Sequence, residues 1–283
     1  MGIIYLFLSI VCESIGKTFD KLNFRKNRIG VRQNLLLVFS VMAVSIVAFS
    51  LMTRQSWGNI SLVTIALLTG IVLLSFIGNI FDELSLEKND LSLREPLVNF
   101  EPILTGLIAY ILFPSERKPI YLAIFILGAF IAYWGVHRRK LKKFQSRRML
   151  YLWIAVILYA AVPVLSSQAL QYLPPANIAL VRVVGILVLL QLLFKPTKRQ
   201  RDRRLTSKMK TDGLFAGLVY AIATIANLYA IQKLGLVLTM LFLMLGPTLR
   251  YLSGKIVLKE KVRRGEVISS ALLVAAVAMA TIM

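Results

Sequence analysis

LGLVLTMLFLMLGPTLRYLSGKIVLKEK, residues 234–261, is an apolar run interrupted by Gly246-Pro247 and closed by the acid–base pair Glu260-Lys261. An earlier stretch, LSLREPLVNFEPILTGLIAYILFPSER at 91–117, has the same build. It breaks at Glu101-Pro102 and closes at Glu116-Arg117. Each copy is preceded by an asparagine inside an apolar segment, Asn79 and Asn227, and followed by another wholly apolar run. A chain that carries one long pattern twice is first read as two like units.

Composition decides what those units are. The 283 residues are 58% apolar, with a mean hydropathy of +0.74, and apolar windows recur from end to end. Segments of about 20 apolar residues cross a hydrocarbon core of roughly 30 Å. Ten such segments are expected: 3–19, 33–52, 60–82, 96–112 (entered through 91–95), 120–136, 149–170, 176–194, 213–230, 236–257 and 266–283. They leave no room for a soluble domain. Backbone groups in lipid must be paired within the segment, and the runs are too long for barrel strands, so each is a helix. The first is read as a retained helix, because it lacks a basic leader and contains Glu13. The expected fold is therefore all-α and integral to the membrane, with ten transmembrane helices. Residues 1–137 and 149–283 form the two five-helix repeats, and the basic stretch 138–148 links them.

The net charge of +21 suits a nucleic-acid binder until its placement is considered. Of the 34 lysines and arginines, 27 fall in the odd-numbered loops, among them seven in 138–148 and eight in 195–210. Only Arg54, Arg117, Lys118 and Lys233 fall in the even loops. Bases collect on cytoplasmic loops. The odd loops, including the linker, are accordingly expected in the cytoplasm and both termini outside, with no nucleic-acid partner. An odd number of spans per unit inserts the second unit upside down relative to the first. The expectation is thus an inverted repeat in a plasma or inner membrane.

Two five-helix repeats, each with an asparagine in the third helix, a proline in the fourth and a glutamate closing it, resemble the EamA-like family of the drug/metabolite transporter superfamily. The resemblance spans the chain and is clearest in ANLYAIQKLGLVLTMLFLMLGPTLRYLSGKIVLKEKVRRGEVISS, from Ala226 onward. It implies a ten-helix secondary transporter, often an exporter, with a cavity lined by helices 1, 3, 4, 6, 8 and 9 and with helices 5 and 10 peripheral. It also implies cytoplasmic termini, opposite to what the charges say, and small apolar residues where this chain has charges between Asp82 and Glu101.

Ionisable side chains at a helix centre cost roughly 2.5–3.5 kcal/mol on insertion scales and mark function by default. Glu13 and Lys17 share one face of helix 1, so either both face a substrate or Lys17 snorkels and Glu13 pairs with it. Glu101, between Phe100 and Pro102, is a candidate ion or substrate ligand. Its alternative is structural pairing with Arg94, Lys17 or Arg182. Arg250 is a candidate anion ligand, being able to grip a carboxylate or phosphate bidentately. Asn79, Tyr159, Ser167 and Asn227 are neutral groups able to fix a small polar solute or to join helices. Asp82, Arg94 and Arg182 are assigned to gating or structural pairing. Asp82 and Glu83 are expected to close helix 3, Glu83 as a solvated helix end, and Arg182 to lie outside the cavity.

Cys12 and His137 each stand alone in their class, which excludes an intrachain disulfide and a Cys/His metal site. No phosphate-binding GxxxxGK[ST] loop occurs, and no nucleophile sits at usable spacing from a base. No cofactor, no metal and no catalytic residues are expected. The leading reading is a secondary active transporter, working as an exporter, that moves a small polar metabolite by alternating access. The alternatives are a non-transporting scaffold, a lipid-modifying membrane enzyme and, among transporters, multidrug or cation efflux. Partners are a small-molecule substrate and the lipid bilayer. Small residues at four-residue spacing in helices 5 (Gly128, Ala132) and 10 (Ala271, Ala275, Ala276, Ala280) serve either the two halves of one chain or a homodimer.

Overall fold

A computed structural model describes residues 1–27, 29–58, 60–89, 91–137, 147–194 and 206–260, together with seven helical residues between 268 and 278. Every regular element among them is helical. They are α1 (Gly2–Leu22), α2 (Val31–Thr53), α3 (Leu62–Lys88), α4 (Leu91–Val98), α5 (Phe100–Leu112), α6 (Pro119–His137), α7 (Arg147–Ala169), α8 (Pro175–Leu193), α9 (Ser207–Leu234), α10 (Leu236–Leu243) and α11 (Gly246–Ile256). A π-helical turn, Asn23–Asn27, follows α1, and a 3-10 turn, Pro114–Glu116, follows α5.

Among the described residues seven helical segments are long and apolar enough to cross a membrane, and Pro119–Trp134 is a shorter apolar helix. Most of the tenth expected span and residues 138–146 of the linker lie outside the described residues. The distribution of side chains matches a lipid environment. Val44, Leu51, Ile126, Phe130, Leu192 and Ile256 are exposed on the outer face, whereas Asp20, Glu83, Arg94, Glu95 and Arg250 are buried. The protein is a multi-pass integral membrane protein.

Two spans differ from the expected continuous helices. The fourth divides into α4 and α5 at Asn99, and the ninth into α10 and α11 at Met244-Leu245. Proline explains both positions. It lacks an N–H and its ring crowds the carbonyl four residues earlier. Pro102 strikes at Val98, the last residue of α4, and Pro247 at Leu243, the last residue of α10. The same offset ends the first half-helix in both.

The half-helices are tied end to end. Glu116, after α5, accepts a hydrogen bond from Val237 N at 2.7 Å in the first turn of α10. Glu260, after α11, accepts from Leu91 N at 3.2 Å at the start of α4. Each acid that closes one copy of the repeated pattern thus caps the first helix of the other. Free N–H groups and the positive dipole end at a helix start favour a carboxylate there. Because the end of each broken span meets the start of the other, the two run antiparallel. Gly235 enters α10 with φ of +84°, and a Cβ there would stand 2.8 Å from the Glu116 carboxyl, so glycine serves both the turn and the cap.

The remaining packing comes in corresponding pairs. α1 lies along α9 as α3 lies along α7; α2 meets α9 as α8 meets α3; α1 meets α11 as α7 meets α5; and α4 meets α11 as α10 meets α5. One apolar cluster joins α2, α3, α8 and α9, and another joins α5, α6 and α10. Gly128 of α6 packs against Met244, and Ala132 is buried, so this small-residue face is used within the chain. In the tenth segment Ala271 and Ala275 are exposed, while Ala276 and Ala280 lie outside the described residues.

The reciprocal caps predict that Glu116→Ala and Glu260→Ala each cost about 1–2 kcal/mol, the range of a lost helix cap. Thermal unfolding of the protein in detergent micelles measures this. Two unchanged midpoints would show that the caps do not hold the broken spans.

Candidate functional site

Between the packed groups lies a cavity of about 180 Å³. Its walls carry Glu13 and Lys17 (α1), Asn34 (α2), Asn79, Asp82 and Glu83 (α3), Arg94 and Glu95 (α4), Glu101 (α5), Tyr159 and Pro163 (α7), Arg182 (α8), Tyr220 and Asn227 (α9), and Arg250 (α11). The break in the fourth span opens on this space, with Val98 and Glu101 on either side of it in the wall, and the ninth span contributes Arg250 of α11. Irregular backbone at membrane depth is tolerated where it faces such a hollow. Of the residues singled out from sequence, Glu13, Lys17, Asn79, Asp82, Arg94, Glu101, Tyr159, Arg182, Asn227 and Arg250 share this one cavity, and Ser167 is not among its lining residues.

The charges form two connected clusters. In the first, Lys17 donates to Asp82 Oδ2 at 2.6 Å and to Glu83 Oε1 at 2.9 Å. Arg94 donates to the other oxygen of Asp82 and, at 3.3 Å, to its backbone carbonyl. Asn34 donates to Asp20 Oδ1 at 2.8 Å and Tyr220 donates to Asp20 Oδ2 at 2.6 Å. In the second, Arg250 spans two acids, with Nε on Glu95 at 2.7 Å and Nη1 on Glu13 at 3.0 Å. Arg94 and Glu95 are neighbours in α4, so that short helix joins the clusters. Buried charges require partners, and here the partners come from α1, α3, α4 and α11.

Several sequence expectations need correction. Glu13 and Lys17 do not pair with each other, because tertiary partners on α11 and α3 outcompete the neighbour on the same helix. Helix 3 does not end at Asp82 and Glu83 but runs to Lys88, and Glu83 is 2% exposed. Lys17 and Arg94 are the partners of the two acids on that turn. Arg182 does not lie outside the cavity: α8 carries it into the wall, and α2 also contributes, so helices 2 and 7 of the ten join the expected lining. Among the described residues Glu101 makes no hydrogen bond or ion pair, with Arg94, Lys17 or Arg182 included.

Asp20 and Tyr220 were not legible as site residues, nor was the burial of Lys21 beside them. Asp20 and Lys21 look like the polar end of a span, yet they are 2% and 4% exposed, and Lys21 donates to the carbonyls of Leu86 and Asn89 at the end of α3. A cation is favoured at such a helix end. Spacing held the clue, because Glu13, Lys17, Asp20 and Lys21 form one helical stripe.

A bundle with apolar outer faces, two broken spans and a charged central hollow has the architecture of a membrane transport protein. Residues 147–282 match the model of the EamA-like transporter family. This stretch, just under half of the chain, is similar to that family, which is part of the drug/metabolite transporter superfamily, and the likeness supports a membrane transporter of that type. A protein of known crystal structure shares the fold across 99% of this chain and 96% of its own, with a TM-score of 0.70 and 16% identity. No curated protein matches the chain.

The ion pairs predict an asymmetry. Arg250→Gln leaves Glu95, 1% exposed, without its cation and costs about 3–5 kcal/mol. Adding Glu95→Gln recovers more than half of that loss in micellar unfolding. A double variant no more stable than Arg250→Gln alone would mean the pair is not the determinant.

Proposed function

We propose that the protein is a secondary active transporter that moves a small polar metabolite out across a plasma or inner membrane, by alternating access of the charged cavity. The observation that carries this reading is a hollow lined by ten acidic and basic side chains, two of which, Glu101 and Arg182, make no hydrogen bond or ion pair among the described residues. A structural ion network would leave no charge without a partner.

The mechanism rests on two five-helix units inserted in opposite senses. Support comes from the antiparallel run of the two broken spans, from their reciprocal glutamate caps and from helix contacts that recur in corresponding pairs. Inverted units of this kind open by turns to either side of a central site. Arg250 ties α11 to α1 through Glu13 and to α4 through Glu95, and Lys17 ties α1 to α3. Breaking one set while keeping the other lets the bundle open on one face. Glu13 and Glu101 are the groups proposed to exchange protons as the cavity turns. Glu13 keeps one oxygen free of Arg250, and its side chain is 40% exposed.

In a homodimer, contacts would come from the tenth segment, where Ala271 and Ala275 are exposed, rather than from α6. Multidrug efflux fits less well than a polar substrate, because ten acidic and basic side chains line the hollow. A scaffold is disfavoured by the same hollow, in which Arg182 makes no hydrogen bond or ion pair among the described residues.

Flux into proteoliposomes from a labelled panel of amino acids, sugar phosphates, nucleotide sugars and organic cations tests the proposal. The wild type is expected to accumulate at least one class above protein-free vesicles under a proton gradient. Glu13→Gln and Glu101→Gln are each expected to cut that gradient-driven flux by about tenfold or more, the scale of a lost charged contact. Flux unchanged in both variants would remove these glutamates from the mechanism, and no flux of any class would count against transport.

A further inference from the structure

The first charge cluster lies toward one end of the bundle. α1 and α3 both finish on the face that carries the odd-numbered loops, and near their ends Lys17 holds Asp82 at 2.6 Å and Glu83 at 2.9 Å. One turn farther on, Lys21 donates to the carbonyls of Leu86 and Asn89 at 2.9 and 2.6 Å, and Leu86 and Leu91 are fully buried. Charged side chains of α1 thus fasten it to α3 between the hollow and these loops. The repeat puts Pro163, Ser166 and Ser167 of α7 where α1 has Lys17, Asp20 and Lys21, and Ala230 and Ile231 of α9 where α3 has Asp82 and Glu83. None of these five is charged, so the second half has no such fastening at the corresponding place.

Lys17 also has a second set of partners within reach. Its Nζ lies 5.8 Å from the centroid of the Tyr220 ring on α9, inside the range of a cation–π contact, and the Tyr220 hydroxyl donates to Asp20 Oδ2 at 2.6 Å. Asp20 stands three residues after Lys17 on α1, the spacing at which helical side chains meet. It is buried, and among the described residues its side-chain donors are Tyr220 and Asn34, both neutral. A buried carboxylate without a cation is costly. We propose that Lys17 is the bolt of a one-sided gate: it swings from Asp82 and Glu83 on α3 to Asp20 and the ring of Tyr220, and so releases α1 from α3 on the odd-loop face alone. This inference rests on the transport reading and assigns it a gate.

The swing keeps the charges nearly balanced. Lys17 exchanges one set of acceptors for another by a change of side-chain rotamer. Asp82 keeps Arg94, which is bonded to its other carboxylate oxygen. Glu83 loses its cation and retains Asn34 at 3.4 Å. Closed and open forms therefore differ chiefly in which acid lacks a cation, Asp20 or Glu83, and a small difference of this kind is what a two-state element requires. Asp20 and Tyr220 are positioning residues, since they act on the gate through Lys17.

The test reads each face separately. A full-length chain with Cys12→Ala and Thr224→Cys carries one thiol, in the cavity wall, and a membrane-impermeant thiol reagent is applied to vesicles of either orientation. Glu83→Gln removes the acid that opening leaves without a cation. It is expected to speed labelling from the odd-loop face about tenfold or more, the scale of a lost charged contact, with no gain from the other face. Asp20→Asn removes the second acceptor, and adding it to Glu83→Gln is expected to bring the rate at least halfway back to the parent value. Lys17→Gln removes the bolt itself, so it too speeds labelling from the odd-loop face, and adding Asp20→Asn to it changes nothing. This variant carries the test where Glu83→Gln does not fold. Asp20 and Glu83 belong to one cluster and lose the same charge, so a merely structural role would move both rates the same way. The inference is overturned if Glu83→Gln and Lys17→Gln leave the odd-loop rate unchanged, if they speed labelling equally from both faces, or if Asp20→Asn speeds it as Glu83→Gln does. The expected gate behaviour in a chain that carries no solute would contradict the transport reading alone, and a thiol reached from neither face in every variant would overturn both.

Discussion

Arg250 is the side chain on which the arrangement depends. A guanidinium at this depth cannot stay unpaired without large cost, and it resolves that cost by holding Glu95 of α4 and Glu13 of α1 together. Its position is fixed in turn by Pro247 three residues before it, which ends α10 and starts α11. The neighbouring residue of α4, Arg94, carries the connection to Asp82 and so to Lys17. A single chain of opposite charges therefore passes from α11 through α1 and α4 to α3. The apolar residues alone do not specify such an arrangement, because lipid tails and leucine side chains are equivalent surroundings.

The two halves contribute unlike chemistry to a like frame. Both have a broken span whose first half-helix stops four residues before a proline, and both close it with a glutamate that caps the other. Within that frame all six carboxylates of the cavity come from the first half, while Arg182 and Arg250 come from the second. The two halves thus share a frame and differ in charge, which is what the proposed opening to either face requires.

Much of the fold was legible in sequence. Long apolar runs gave the helices, and Pro102 and Pro247 marked where two of them break, because proline acts through local backbone geometry. Glu13, Glu101 and Arg250 stood out because an intramembrane charge is conspicuous against its neighbours. What the charges pair with was not legible: Arg250 meets Glu13 from 237 positions away, and nothing local competes with that contact. Glu83, Asp20 and Lys21 failed for a related reason. They sit at the ends of apolar runs, where a solvated terminus and a buried tertiary pair look alike in sequence. Arg182 was misplaced because the family resemblance assigned its helix to the outside.

The central claim is that the charged residues enclose a wet hollow that communicates with each face of the membrane in turn. It is tested most directly by a single cysteine at Tyr159, in a chain whose only native cysteine, the buried Cys12, is replaced by alanine. Membrane-impermeant thiol reagents are applied to right-side-out and to inverted vesicles. The account predicts that Tyr159→Cys is labelled from both faces, and more slowly when a bound solute fills the cavity. A cysteine reached from neither face, or from one face under every condition, would contradict it.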